Sequence, residues 1–186
     1  MNDSFDLKKS IEKGKLIFNI SSLEKFGQYM FSYFLVIILP IIFFDALNKH
    51  YIENTISENI QWIIKYFLFS FSVSGFLLYR VLSITKLKRY HGEKDKNREL
   101  VRDFIESNNL NKSKDNKNYI IAHEGVSAFA WGRRFTFIFV NEDILFNLIS
   151  FGLHETKWPI FLLSDIGYKI LFKWHIEKFL KDNESK

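Results

Sequence analysis

The side chains that could carry acid–base or metal chemistry are few in this chain. It holds five histidines and no cysteine. His123 and His154 are each followed by a glutamate, but neighbouring residues on an extended strand point to opposite faces. No H-E-x-x-H spacing, nucleophile elbow, P-loop or dinucleotide fingerprint occurs. The sequence therefore predicts no catalytic, cofactor-binding or metal site, and it favours a non-enzymatic protein.

Basic residues offer a second kind of chemistry, which is the binding of anions. The formal net charge is +5 and the isoelectric point is about 9.2. Lys86, Lys88 and Arg89 form a cluster directly after a long apolar stretch, where anionic lipid head groups would attract them. We therefore predict that this cluster contacts membrane lipids or a partner protein, and we expect no binding of nucleic acid.

A second basic pair lies in a turn-like segment between two apolar runs. Trp131 and Gly132 are followed by Arg133 and Arg134. An aromatic ring beside two guanidinium groups could contact head groups or an acidic partner, and a solvated turn is the alternative. We therefore predict Trp131, Arg133 and Arg134 as further candidates for membrane-surface or partner contacts.

Two apolar stretches, 26–47 and 62–84, must position these residues. The first carries no charged side chain before Asp45. At about 1.5 Å of rise per residue, each stretch is long enough for a hydrocarbon core of roughly 30 Å. We therefore predict two transmembrane helices that form a hairpin, joined by an external loop at 48–61.

The flanking segments 1–25 and 85–117 carry most of the lysine and arginine near this hairpin, whereas the predicted loop has only Lys49. The positive-inside rule then places both termini in the cytoplasm of a two-span protein of the cell membrane. We predict that 1–25 is a cytoplasmic tail and that 85–117 forms a basic stalk helix followed by a linker.

Small side chains in the second apolar stretch predict close helix packing. Ser70 and Ser74 are one helical turn apart, and Gly75 follows them. Small residues at this spacing allow helix backbones to approach closely. We expect the first long helix of the same chain to fill the patch, with a homo-oligomer as the alternative.

Residues 118–186 predict a small cytoplasmic α+β domain. Short apolar runs alternate with turn-like residues, which is typical of an antiparallel β-meander. A helix from about Ser164 to Lys181 should cover the sheet. In that helix we expect Ile170 to face the sheet and Lys169 to face outward.

One strand of the predicted sheet is apolar on both faces. The run 135–140 places three phenylalanines on one face and Thr136, Ile138 and Val140 on the other. Such a pattern is typical of a strand that is buried on both sides, so we predict cover on both faces of the sheet at this strand.

These expectations favour a membrane-anchored protein whose small domain binds another protein of unknown identity. An immunity or inhibitor protein against a membrane-acting toxin is one form of this hypothesis, and an accessory subunit of a membrane complex is another. One alternative is a small membrane enzyme or transporter component that uses His123, His154 or Asp45. Another is a lipid-sensing module that acts through its basic surface.

Overall fold

The chain folds into an α+β structure with one sheet and a long helical hairpin. The computed structural model describes residues 4–53, 56–125, 132–151 and 162–184. Along them the elements follow in the order α1 (Leu7–Lys13), α2 (Ser22–Glu53), α3 (Ile56–Ser83), β1 (Lys88–His91), α4 (Asn97–Ser107), β2 (Asn111–Asp115), β3 (Tyr119–Glu124), β4 (Arg133–Val140), β5 (Asp143–Ser150) and α5 (Leu162–Glu184).

The five strands form one antiparallel sheet in the order β1-β5-β4-β3-β2. Strands β3, β4 and β5 are sequential neighbours, as a meander requires. Strand β1 instead pairs with β5, with Lys88 opposite Phe146. The segment that leaves the long helices therefore joins the edge of the sheet, and this pairing places the base of the hairpin beside it.

One face of the sheet packs against α4 and α5 through an aromatic core. Phe104, Phe137, Phe146 and Phe172 are fully buried, and the contacting ring pairs among them have centroid distances of 4.9–6.1 Å. Fully burying one such side chain contributes about 1.5–3 kcal/mol. This core anchors both α4 and α5 to the sheet.

The opposite face of the sheet is covered by the N-terminal segment around α1. Leu16 and Ile84 pack with Ile138 and Ile149, and Phe18 covers the cluster. Strand β4 is therefore covered on both faces, which confirms the prediction made from its two apolar faces. The segment predicted as a tail is part of the packed structure here.

Helices α2 and α3 run antiparallel and pack on each other, with the Ser74 hydroxyl donating to the Val36 carbonyl at 3.4 Å. Within the described residues, no helix has both the length and the apolar character that a membrane crossing needs. The predicted two-span membrane hairpin, and with it the cell-membrane location with both termini cytoplasmic, is therefore wrong. Polar residues such as Asp45, Lys65 and Ser72 recur along the two helices.

The segment predicted as a stalk helix and linker has mixed structure. Its start forms β1, its middle forms α4 and its end includes β2. The helical prediction holds from Asn97 onward, where Leu100, Val101 and Phe104 form a buried stripe. Helices α2 and α3 also extend over most of the predicted external loop, to Glu53 and from Ile56.

Candidate functional site

Four cationic side chains line one cleft where α3, the start of β1 and α5 meet. Arg80 comes from α3, Lys86 and Lys88 come from the segment that enters β1, and Lys169 comes from α5. The cleft has a volume of about 280 Å³, and Asp165 is the one acidic residue among those that line it in the described part of the chain. We call this site the basic cleft.

The lysine-bearing segment is held in place from both sides. The side-chain amide of Asn147 is buried and donates hydrogen bonds to the carbonyls of Ile84, at 3.0 Å, and Lys86, at 2.9 Å. From the other side, the Leu87 N–H donates to the Gly14 carbonyl at 2.9 Å. The backbone that carries the lysines is therefore fixed before any ligand binds.

A buried ion pair forms part of the wall of the basic cleft. Arg80 Nη2 donates to Asp165 Oδ2 at 2.9 Å, and the Ser150 hydroxyl donates to Asp165 Oδ1 at 2.7 Å. Arg80 is 9% exposed and Asp165 is 2% exposed. Burial raises the pKa of the Asp165 carboxyl above its usual value, while Ser150 and Arg80 act in the opposite direction. Both carboxylate oxygens therefore have a donor, and Asp165 is not available as a base.

Arg80 keeps one donor unsatisfied. Its Nε is buried and has no hydrogen-bond partner among the described residues. A buried donor without a partner costs about 1–3 kcal/mol. Arg80 therefore has an unsatisfied buried donor in addition to its bond to Asp165.

The three lysines contribute charge that nearby carboxylates do not neutralise. Across the described ranges, Lys86, Lys88 and Lys169 form no ion pair within 4.0 Å. Burial lowers the pKa of Lys169, and the Asp165 carboxylate opposes that shift. The Lys88 ammonium lies 5.2 Å from the centre of the Tyr90 ring, whose hydroxyl donates to the Lys169 carbonyl at 3.1 Å. Tyr90 therefore ties together the two elements that carry lysines into the cleft.

Four cations around one carboxylate that is already paired suit an anion with several acceptor oxygens. Ammonium groups bind phosphate as point charges, and guanidinium groups offer directed donors. The basic cleft combines both kinds of donor within one concave surface.

In comparisons with protein-family models, with curated proteins and with solved structures, the chain matches none.

Of the first predicted cluster, only two members reach the basic cleft. Lys86 and Lys88 line it. Arg89 is next to Lys88 on a strand, so its side chain points to the other face of β1. There Arg89 Nε lies 3.4 Å from Asp143 Oδ2, and the Arg89 side chain is 71% exposed. An exposed pair of this kind contributes about 0–1 kcal/mol.

The second predicted group has different surroundings. Arg133 pairs with Glu124, and the other carboxylate oxygen of Glu124 accepts a hydrogen bond from the Tyr168 hydroxyl at 2.8 Å. Arg134 is 3% exposed, and its guanidinium lies 4.5 Å from the centre of the Phe18 ring. Trp131 lies outside the described residues. The two arginines are therefore engaged within the chain rather than presented at its surface.

The predicted small-residue patch lies partly between the two long helices. Ser70 is buried, and Ser74 contacts α2 through its bond to Val36. Gly75 is exposed, and among the described residues no heavy atom lies within 4 Å of where its Cβ would be, apart from its chain neighbours and the backbone of its own helix. The first long helix of the same chain thus packs on the side of α3 that carries Ser70 and Ser74.

Sequence reasoning missed three members of the basic cleft. Neither Arg80 nor Asp165 was singled out from the sequence, and Lys169 was predicted to face outward. In helix α5, Ile170 is 47% exposed and Phe172 is buried. The face of α5 that packs on the sheet is therefore not the face that was predicted. The spacing of Asp165 and Lys169, one helical turn apart, was the available signal.

Proposed function

We propose that this chain is a non-enzymatic binding protein that holds a phosphate-class anion in the basic cleft. One observation carries the proposal. Arg80, Lys86, Lys88 and Lys169 line one cleft, in which Asp165 is the single acidic residue among the described ones, and its two oxygens already have donors within the chain. The excess of positive charge is therefore available to a ligand.

The burial of the cleft strengthens this attraction. Electrostatic interactions are several times stronger beside a protein interior than in bulk water. Arg80 is nearly fully buried, and Lys169 is half-buried. An anion that bound there would replace lost hydration with charge-assisted hydrogen bonds, which contribute about 1.5–3 kcal/mol each.

The experiment is isothermal titration calorimetry of the full chain with inorganic phosphate. The double variant Lys86→Gln/Lys169→Gln replaces two ammonium groups by neutral, slightly shorter amide side chains, and we expect its affinity to fall at least about tenfold. The matched control is Lys114→Gln/Lys117→Gln, which removes two exposed charges near β2 and should bind as the wild type does. Equal affinity in the two double variants, or no binding by the wild type, would contradict the proposal.

A second candidate function is binding to another protein chain, and an apolar stripe on α2 favours it. The stripe follows the helical period, and its members are 54–64% exposed: Phe26, Met30, Phe34, Ile37, Ile41 and Phe44. Contiguous exposed apolar surface of this kind marks an interaction site. With side chains that each expose on the order of 100 Å², the stripe and its neighbours approach the roughly 800 Å² per partner of a stable interface.

We infer that a second copy of this chain covers the stripe, since an uncharged apolar stripe is complementary to itself. Sedimentation velocity should show a dimer, and Ile37→Glu should convert it to a monomer. Phe71→Glu, at a still more exposed position on α3, should leave the dimer intact. A monomeric wild type, or recovery of the chain on phospholipid vesicles through the same stripe, would contradict this inference.

A further inference from the structure

We propose that the ligand of the basic cleft is an amphiphile, with an anionic head among the four cations and a hydrocarbon tail along α3. This inference rests on the proposed function, because it names the ligand class of the same cleft. It depends on two features that adjoin each other: the charge of the cleft and an exposed apolar stripe that begins in its wall.

The stripe starts with Tyr79, which lines the cleft next to Arg80. Phe76 and Phe69 continue it at helical spacing, with exposures of 45% and 56%, and Tyr79 itself is 60% exposed. From Tyr79 to Phe69 the helix rises about 15 Å. No charged residue interrupts this stretch of α3. On the same face, Ser72 lies between Phe69 and Phe76, and its hydroxyl donates to the Leu68 carbonyl at 2.7 Å. A linear hydrocarbon chain along α3 would therefore contact three aromatic side chains and meet no charge.

The α5 side of the cleft has a similar division between charge and apolar surface. Asp165 and Lys169 line the cleft, and each is followed by an exposed isoleucine, Ile166 at 42% and Ile170 at 47%. A bare phosphate ion would use the cations and leave the apolar side chains in water. A phosphate ester of a long-chain alcohol would use both, since burying apolar surface is favourable in rough proportion to its area.

The experiment compares three probes on the full chain by isothermal titration calorimetry. They are inorganic phosphate, dodecyl phosphate below its micelle concentration, and dodecyl maltoside, which carries the same tail on an uncharged head. We expect dodecyl phosphate to bind on the order of a hundredfold more tightly than inorganic phosphate. Dodecyl maltoside should bind more weakly than dodecyl phosphate. Binding of both phosphates should depend on Lys86 and Lys169, whereas binding of dodecyl maltoside should not.

Two variants test the tail separately from the head. Phe76→Gln should lower the affinity for dodecyl phosphate about tenfold or more and leave inorganic phosphate unchanged. Phe71→Gln is the matched control, since Phe71 is 73% exposed and lies about 140° around the helix from Phe76. Equal affinity for the two phosphates would overturn this inference and leave the proposed function standing. Equal binding of dodecyl maltoside would overturn it as well, and the absence of binding by any phosphate would overturn both.

Discussion

The basic cleft and the Arg133–Arg134 pair present the same chemical groups in contrasting surroundings. In the pair, Arg133 meets Glu124 and Arg134 lies against the Phe18 ring. In the cleft, Arg80 meets one carboxylate, and three lysines that form no ion pair among the described residues line the same concave surface. The guanidinium groups of the pair stabilise the fold, whereas the cleft retains charge for a ligand. The availability of a basic residue therefore depends on its neighbours in space and not on its neighbours in sequence.

The largest expected effect comes from removing the carboxylate of the cleft. Asp165→Ala leaves Arg80 buried and unpaired, and this should lower the free energy of unfolding by about 3–5 kcal/mol. Denaturant unfolding measures it, with Asp143→Ala as a control because its partner Arg89 is exposed. Added phosphate should restore part of the loss in Asp165→Ala. A loss below about 1 kcal/mol would show that Arg80 is hydrated and that the two regions differ less than proposed.

A smaller loss of stability, without a loss of phosphate affinity, should distinguish the Arg133–Arg134 pair from the basic cleft. Arg134→Ala removes the guanidinium that lies over the Phe18 and Phe151 rings, and we expect a loss of about 2 kcal/mol in the free energy of unfolding. Phosphate affinity should stay within a factor of two of the wild type, since Arg134 does not line the cleft. Arg89→Ala provides the exposed control. A large fall in phosphate affinity in Arg134→Ala would place the anion at the pair instead.

The third prediction uses the titration of Lys169. Burial lowers the pKa of this ammonium group, and an anion binds its protonated form more tightly. Phosphate affinity should therefore fall as the pH rises through that lowered pKa, by up to about tenfold. Lys169→Arg should remain charged and remove this dependence. Calorimetry from pH 7 to pH 10 measures it, and an identical decline in the arginine variant would show that another group titrates.

The smallest effect belongs to His175, which lies outside both regions. Burial lowers its pKa, while Asp103, 3.2 Å from the ring, opposes the shift and Lys178 adds to it. The folded state thus binds fewer protons than the unfolded state below pH 6.5. Stability should be full above that pH and fall as the pH drops through the window down to the lowered pKa. His175→Gln should flatten the unfolding curve there, and unchanged acid sensitivity would show that carboxylates are responsible.

Parts of the fold could be predicted from local patterns. The run 135–140 is apolar on both faces, and it lies between two clusters of buried side chains. Of the stalk helix predicted within 85–117, the part at α4 is helical, and Leu100, Val101 and Phe104 form its buried stripe. These signals are reliable because each strand or helix places its own side chains on a face with a fixed period.

The basic cleft could not be predicted in the same way. Its members are separated by up to 89 positions along the chain, and two of them reach it only because β1 pairs with β5. Nothing local marks that pairing, since Lys88–His91 is a short and polar strand. Helix α5 also lacks a clear apolar face, so the direction of Lys169 could not be read from its period. The long apolar stretches were predicted as membrane spans because their overall apolar character hides the polar residues within them.

The most direct test of the account locates the anion on the chain. Backbone amide resonances of the full chain should be followed by nuclear magnetic resonance during titration with inorganic phosphate. We predict saturable shifts at 80–88 and at 165–169, and none beyond the level of distant residues at Arg133 and Arg134. Shifts centred on Arg133 and Arg134, or spread evenly over all lysine-bearing segments, would contradict the assignment of the anion to the basic cleft.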